Sequence, residues 1–203
     1  MSVFSSSKSY RQLFFKKRFV LSACEDTSEF VAPAELVINP RLPESSLARL
    51  EPYLSHSQIL RRLEHPDISL YALFSQGDEL AALYWSLHPE KAIWHDKFLV
   101  EPGAALLFGA YVVPEHRRKG LYSLLIKAAH QHMLEKKVES VFTIVEASNS
   151  ASLAANQQSG LKIVAHNYLI KVFGRNLFTI YRDLASGKIS TDYVFRTAKS
   201  YNF

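Results

Sequence analysis

The sequence predicts an α/β (α+β) chain: a mixed, mostly antiparallel sheet with a central parallel strand pair and flanking helices. Three observations carry this. Residues 68–87 have a hairpin pattern, two apolar runs around the turn signal Gln76-Gly77-Asp78. Ala104–Val113 is almost wholly apolar, as a strand buried on both faces should be. Leu121, Leu124, Leu125, Ala128 and Met133 then mark one helix face before a second apolar run, Val138–Val145. A strand, helix and strand of that length form a right-handed parallel crossover. Strands 104–113 and 139–146 are therefore expected as parallel neighbours.

The remaining elements follow in order. Pro33–Pro43 separates an N-terminal piece from the rest. Leu47, Leu50, Leu54, Ile59, Leu60 and Leu63 give helical spacing over 44–64, which Pro66 ends. Ile68–Phe74 and Leu80–Leu87 are the hairpin arms, and Ala92–Val100 reads as a third strand. Pro102-Gly103 breaks the chain before the first buried run, and Pro114 stops that run. Ala151–Gln158 is a short helix stopped by Gly160. Ile163–Val172 is terminal strand, and residues 176–186 look helical. The tail from Ser190 carries no signal.

Bulk properties narrow the function. The 203 residues carry a formal charge of +5, 48% hydrophobic and 21% charged residues, as an ordinary globular protein does. The excess sits at Lys8, Arg11, Lys16, Lys17 and Arg18, and again at Arg117, Arg118 and Lys119. It suits an anionic ligand or a solvated surface. Cys24 is the single cysteine, so no internal disulfide forms, and no ligand spacing suggests a metal site. No run of 18 apolar residues is present, and the N-terminus lacks a signal-peptide core, so a cytoplasmic location is expected. No Gly-x-Gly-x-x-Gly follows a strand, which argues against a dinucleotide fold.

The informative stretch is Ala110-Tyr-Val-Val-Pro-Glu-His-Arg-Arg-Lys-Gly-Leu-Tyr-Ser-Leu-Leu125. A buried strand ends and a helix begins, so the loop from Arg117 through Arg118, Lys119, Gly120, Leu121 and Tyr122 to Ser123 presents amides at a helix N-terminus. Unpaired amides and the helix dipole bind anions there. Gly120 permits close approach of a phosphate to the backbone. The bland alternative is a solvated strand-to-helix turn. A second stretch has a strand, then Asn149, a short helix containing Ser152 and Asn156, then Gly160-Leu161 entering a strand. Asn149 or Ser150 is placed to cap that helix.

Together these two segments resemble the GNAT acyltransferase superfamily over residues 68–172. Arg117-Arg-Lys-Gly120-Leu-Tyr122 matches the family's (Arg/Gln)-x-x-Gly-x-(Gly/Ala) pyrophosphate loop, except that Tyr122 stands where Gly or Ala is usual. Asn149, Ser152, Gly160 and Leu161 fall at the spacings of the second family element. The resemblance implies a single domain over 1–203. Residues 1–66 would be an N-terminal extension with acceptor-side helices, 67–173 the cofactor-binding core, and 174–203 a C-terminal helix and tail. It implies a parallel pair that splays apart, with a bulge in its first strand, and acetyl-CoA or another acyl-CoA as acyl donor. The backbone at Tyr111, Val112 and Val113 would pair with the pantetheine arm.

The resemblance further implies direct attack by an amine in a ternary complex, without a covalent enzyme intermediate, so Cys24 reads as structural. Proton handling is the weakest part of the match. Many family members place a Glu on the strand before the loop, where this chain has no carboxylate. Others place a Glu five residues before the Asn, and many a Tyr seven residues after it. Here those residues are Ile144 and Asn156. Glu146 shares a strand face with Ile144 by alternation and is the best acid/base candidate. Tyr111 and Tyr122 are alternatives, as are His88, His95 and His116. Asn156 can hydrogen-bond the sulfur or a water.

The acceptor would be a small-molecule or peptide amine bound by residues 44–98, where Trp85, His88, Trp94 and His95 are aromatic and polar. Two other classes compete. The missing acid and base positions suit an acyl-CoA-binding or regulatory module without catalysis. The charge suits a nucleic-acid binder, yet no such motif is present, so no nucleic acid is expected. No membrane span is expected, and a homodimer is left open.

Overall fold

A computed structural model describes residues 13–23, 33, 35–50, 53–75, 79–95, 98–172 and 175–193. Cys24, Lys8, Arg11 and the last ten residues lie outside them, and so does the Trp94 side chain. In chain order the elements are β1 (Leu13–Ala23), β2 (Leu36–Ile38), α1 (Glu44–Leu50), α2 (His56–Leu63), β3 (Ile68–Phe74), β4 (Leu80–Leu87), β5 (Ile93–His95), β6 (Phe98–Val100) and β7 (Ala104–Val112). Then come α3 (Leu121–Glu135), β8 (Ser140–Glu146), α4 (Ser150–Gln158), β9 (Leu161–Val172), β10 (Arg175–Asp183) and β11 (Ile189–Tyr193).

Nine strands form one sheet in the order β11-β10-β9-β1-β8-β7-β4-β3-β2, and β5 and β6 make a separate hairpin. Among the described residues only β7 and β8 pair in parallel, in register from Ala104↔Ser140 to Leu107↔Thr143. Beyond Leu107 and Thr143 the two strands continue without pairing. There the far half of β7 pairs with β4, and the far half of β8 with β1. The expected parallel pair and its splay are thus present.

Apolar side chains fill both faces of the sheet. On one face Leu50 and Ile59 from α1 and α2 pack with Leu70, Leu83, Trp85 and Leu106. On the other, Leu125, Ala129 and Met133 from α3 pack with Tyr71, Tyr84, Leu107 and Val145. β4 is buried along its whole length. Each fully buried Leu or Ile contributes about 1.5–3 kcal/mol. The exposed side of α3 carries Lys127 and Glu135, which is why its apolar stripe is one-sided.

Three sequence expectations are corrected, and the helical region 44–64 is refined. Residues 176–186 are not helical: β10 covers most of them and pairs with β9. A register shift between Asn176 and Phe178 inserts Leu177 into that strand, doubling the apolar residues and imitating helical spacing. Residues 175–183 and 189–193 of the expected C-terminal portion are therefore strands. Ala92–Val100 is two short strands, with His95 opposite Phe98. The 44–64 region is two helices, because Ser55 starts a new one through a reciprocal capping box with Gln58. Last, the N-terminal piece is no mere extension, for β1 lies inside the sheet between β8 and β9, antiparallel to both.

Candidate active site

The split between β7 and β8 is shaped by a bulge. Leu83 pairs with Tyr111 and Trp85 with Phe108, so Tyr84 alone faces both Gly109 and Ala110. Gly109 has φ +60°, and a Cβ there would lie 3.0 Å from Arg62 Nη1 and 3.1 Å from Trp85 Cδ1. Glycine is required twice over, for the left-handed backbone and for the space. The bulge bends β7 away from β8 and opens a cleft of about 680 Å³ through the sheet.

On the α3 face the cleft is lined by Tyr84, Tyr122, Thr143, Asn149 and Ser152. These side chains are linked. Asn156 Nδ2 donates to the Tyr122 hydroxyl at 2.8 Å and to the Ser152 carbonyl at 2.8 Å. The second bond fixes which end of the amide is nitrogen, so Tyr122 oxygen accepts and its own proton remains to be donated. Tyr84 donates to Thr143 Oγ1 at 3.3 Å, and its ring lies 5.7 Å from that of Tyr122. Burial pushes the Tyr122 phenol above its ordinary value, though hydrogen bonding with Tyr84, Asn156 and Ser152 pulls it back in part. Tyr84, wholly enclosed, is pushed up well beyond the ordinary range, again chiefly by burial.

The loop before α3 has the conformation of an anion cradle. A short 3₁₀ turn, Pro114–His116, directs the chain out of β7. Arg118 has φ +63° and Gly120 has φ +75°, two left-handed residues within three positions. Alternating backbone of this kind turns successive N–H groups to one side. Gly120 precedes α3 with no side-chain cap, and the first helical bond runs from Leu124 to the Gly120 carbonyl. A Cβ at Gly120 would meet no atom within 4 Å, so the space above the loop is open. Arg118, Lys119 and Gly120 are exposed, while Leu121 packs into the core. A pyrophosphate fits this donor set: uncapped amides, a helix N-terminus and nearby cations.

Other expected residues are engaged differently. Arg117 Nε bonds the Val112 carbonyl at 3.2 Å, so this side chain braces the loop. The Val113 amide donates to Ala81 on β4, which removes it from the open side of β7. Ser123 Oγ bonds Ser159 Oγ at 2.8 Å, tying α3 to the end of α4. Asn149 lines the cleft and also caps α4, its Oδ1 accepting from the Ser152 amide. Asn156 is wholly buried and lies behind Tyr122, away from the cleft wall; its Oδ1 has no hydrogen-bond partner among the described residues.

The α2 face of the cleft is lined by Tyr53, Arg62, His95, Phe108, Ile144 and Glu146. Glu146 is exposed at the end of β8, as the alternation from Ile144 anticipates. Tyr111 stands beside the cleft, its ring stacked on Tyr53 at 4.8 Å, and the Tyr53 hydroxyl donates to the Ala110 carbonyl of the bulge. His95 is buried with its ring 4.4 Å from Phe108, whereas His88 and His116 lie outside the cleft. Trp85 is core, beneath Arg62. Sequence reasoning missed Tyr53, Arg62, Tyr84 and Thr143, which stand singly on separate elements. No group of His, Cys, Asp and Glu among the described residues is arranged to hold a metal, and no helix there is long and apolar enough to cross a membrane.

A model of the acetyltransferase (GNAT) family matches residues 33–160. Solved structures share the fold. A GNAT-family structure from Novosphingobium aromaticivorans is 16% identical with TM-score 0.55, matching 78% of this chain and 64% of that one. A GNAT-family acetyltransferase from Colwellia psychrerythraea is 12% identical with TM-score 0.60, over 79% of this chain and 58% of that one. A GCN5-related N-acetyltransferase from Sphaerobacter thermophilus is 12% identical with TM-score 0.54, over 79% and 51%. The chain thus spans between half and two thirds of the length of these structures. None of the curated proteins compared matches the sequence.

Proposed function

The chain belongs to the acetyltransferase (GNAT) family, and from that premise we propose that it transfers an acyl group from acetyl-CoA or another acyl-CoA to a primary amine, by direct attack in a ternary complex. The observation that carries this reading is the Tyr122 hydroxyl, held by Asn156 in the wall of the split. The family's acid is a Tyr at the position of Asn156, and its loop has Gly or Ala at the position of Tyr122. Here the two residues are exchanged in character, and the phenol reaches the cleft from α3 instead of α4.

Each group then has a task. Amides of Arg118 to Tyr122 hold the pyrophosphate, with charge from Arg118 and Lys119. The open edge of β7 near Val112 aligns the pantetheine arm. The amine enters from the α2 face and forms its bond to the thioester carbon as the C–S bond breaks. An alkyl ammonium must first lose a proton, which costs about 4–5 kcal/mol at pH 7. Glu146 takes that proton through a water. Tyr122 gives its own proton to the departing thiolate, the Asn156 amide stabilises the phenolate, and the phenolate recovers a proton as the acylated nitrogen loses its second one. Tyr111 backs Tyr53, which walls the amine site in this scheme. The protein is proposed to act in the cytoplasm.

A second reading, acyl-CoA binding without transfer, draws on Ile144 standing where the family has a carboxylate. The two separate by experiment. Tyr122→Phe should lower CoA release with an accepted amine by about 10² and leave acetyl-CoA affinity intact. Tyr122→Gly combined with Asn156→Tyr should restore part of that rate, since it returns the phenol to the family's position. No loss in Tyr122→Phe would remove Tyr122 as the acid. Acetyl-CoA binding with no amine-dependent CoA release would favour the binding module.

A further inference from the structure

Among the described residues lining the cleft, Arg62 is the one side chain with a permanent positive charge and Glu146 the one carboxylate. We infer that the acceptor is an amino-carboxylate: its amine goes to the Glu146 side of the split, and its carboxylate is received by the Arg62 guanidinium. This rests on the acyl-transfer reading above and names the class of substrate that reading leaves open.

The site for Arg62 is built. The residue comes from the last turn of α2 and is buried in the cleft wall, with 6% of its surface exposed. Its guanidinium lies over the rings of Trp85 at 5.4 Å and Phe108 at 5.0 Å. The missing side chain of Gly109 makes the room, since a Cβ there would come within 3.0 Å of Nη1. The bulge that opens the split therefore also seats the cation at the split. A buried charge is costly, and burial lowers the guanidinium from its ordinary value to about 10. Arginine matches a carboxylate through two parallel N–H donors, and stacking on rings holds that fork in one plane. Tyr53 and Phe108 leave apolar wall beside it for the rest of the acceptor. A cationic polyamine would meet Arg62 as a like charge; a zwitterion meets one complementary charge at each end.

The test uses the whole chain with acetyl-CoA and matched acceptors: the common L-amino acids, their carboxamides and the corresponding decarboxylated amines. CoA release gives kcat and KM, and calorimetric titration of each acceptor into the CoA-loaded protein gives affinity without turnover. Wild type should prefer one or more carboxylates over the matched carboxamide and amine by about ten- to a hundredfold in kcat/KM, carried mainly by KM. Arg62→Gln should abolish that preference and Arg62→Lys keep part of it, with the thermal shift caused by acetyl-CoA unchanged in both as a check on folding. Equal use of carboxamides by wild type, or a carboxylate preference surviving Arg62→Gln, would overturn the inference and leave acyl transfer standing. Carboxylates that bind in an Arg62-dependent way without being acylated would support the carboxylate site and sink the transfer reading instead.

Discussion

The loop side of the cleft and its α2 side meet at one split, yet the first is made of backbone and the second of side chains. Between Arg117 and Ser123 the groups proposed to face the ligand are amides, presented because Arg118 and Gly120 are left-handed and α3 has no side-chain cap. On the other side Tyr53, Arg62, His95, Phe108 and Glu146 each arrive on a different segment. A site made of consecutive amides must be encoded in consecutive residues. A site made of scattered side chains leaves no local trace. In the proposed function the first serves the acyl donor and the second the acceptor.

That contrast can be broken by substitution. The largest effect is expected on the side-chain side. Glu146→Gln should lower the acylation rate by roughly 10²–10⁴ with little change in CoA affinity. An unaltered pH–rate profile between pH 6 and 9 would rule Glu146 out as base. Next comes Gly120→Asp, which places a Cβ at φ +75° and an anion over the amides. Acetyl-CoA affinity should fall by about 10², with the acceptor preference unchanged; parent-like binding in titration calorimetry would refute the cradle. Gly109→Ala tests the one residue that serves both sides. Strain at φ +60° together with contact on Arg62 and Trp85 should cost about 2–4 kcal/mol in denaturant unfolding.

The smallest effect concerns pH. Phenols collect on the α3 face: burial raises Tyr71 to about 12 and also raises Tyr84 and Tyr122. Unfolded tyrosines release their protons near pH 10, so above that pH the folded state holds more protons than the unfolded one. Stability from these groups is complete below pH 10 and is lost as pH rises through the folded-state values. Urea midpoints should hold steady up to about pH 9 and then decline, less steeply in Tyr71→Phe. A midpoint that stays level from pH 9 to 11 would show that the buried phenols open to solvent before they titrate.

Legibility followed the same physics. β3, β4, β7, β8 and α3 were readable because each is buried along a face or on both, so its apolar period is unbroken. The loop proposed to hold the cofactor stands out in the sequence through Gly120 and its charged neighbours. β10 was not, since the extra residue Leu177 breaks the period of two. β1 was not, because Lys16, Lys17 and Arg18 interrupt it. Arg18 is in fact buried, donating to Asn167 Oδ1 at 2.9 Å, an arrangement that only the fold can disclose. Arg62 was invisible for the same reason: its sequence, Leu-Arg-Arg-Leu, reads as the polar side of a helix. The distinction between Asn156 at the cleft and Asn156 behind it depends on where Tyr122 points, which spacing does not encode.

The place of β1 has a consequence for how the chain assembles. It is synthesised early, yet both of its partners come late; Arg18 bonds a residue 149 positions further on. At about 5–20 residues per second, a ribosome needs roughly ten to thirty seconds to supply β9 after β1 has emerged. During that interval the early strand has no partner to pair with, and long-range closure of this kind is slow. A nascent chain is thus exposed to mispairing until β9 is made. Deleting residues 1–23 would leave β8 and β9 as two facing, unfilled edges, the arrangement most prone to recruit strands from other copies.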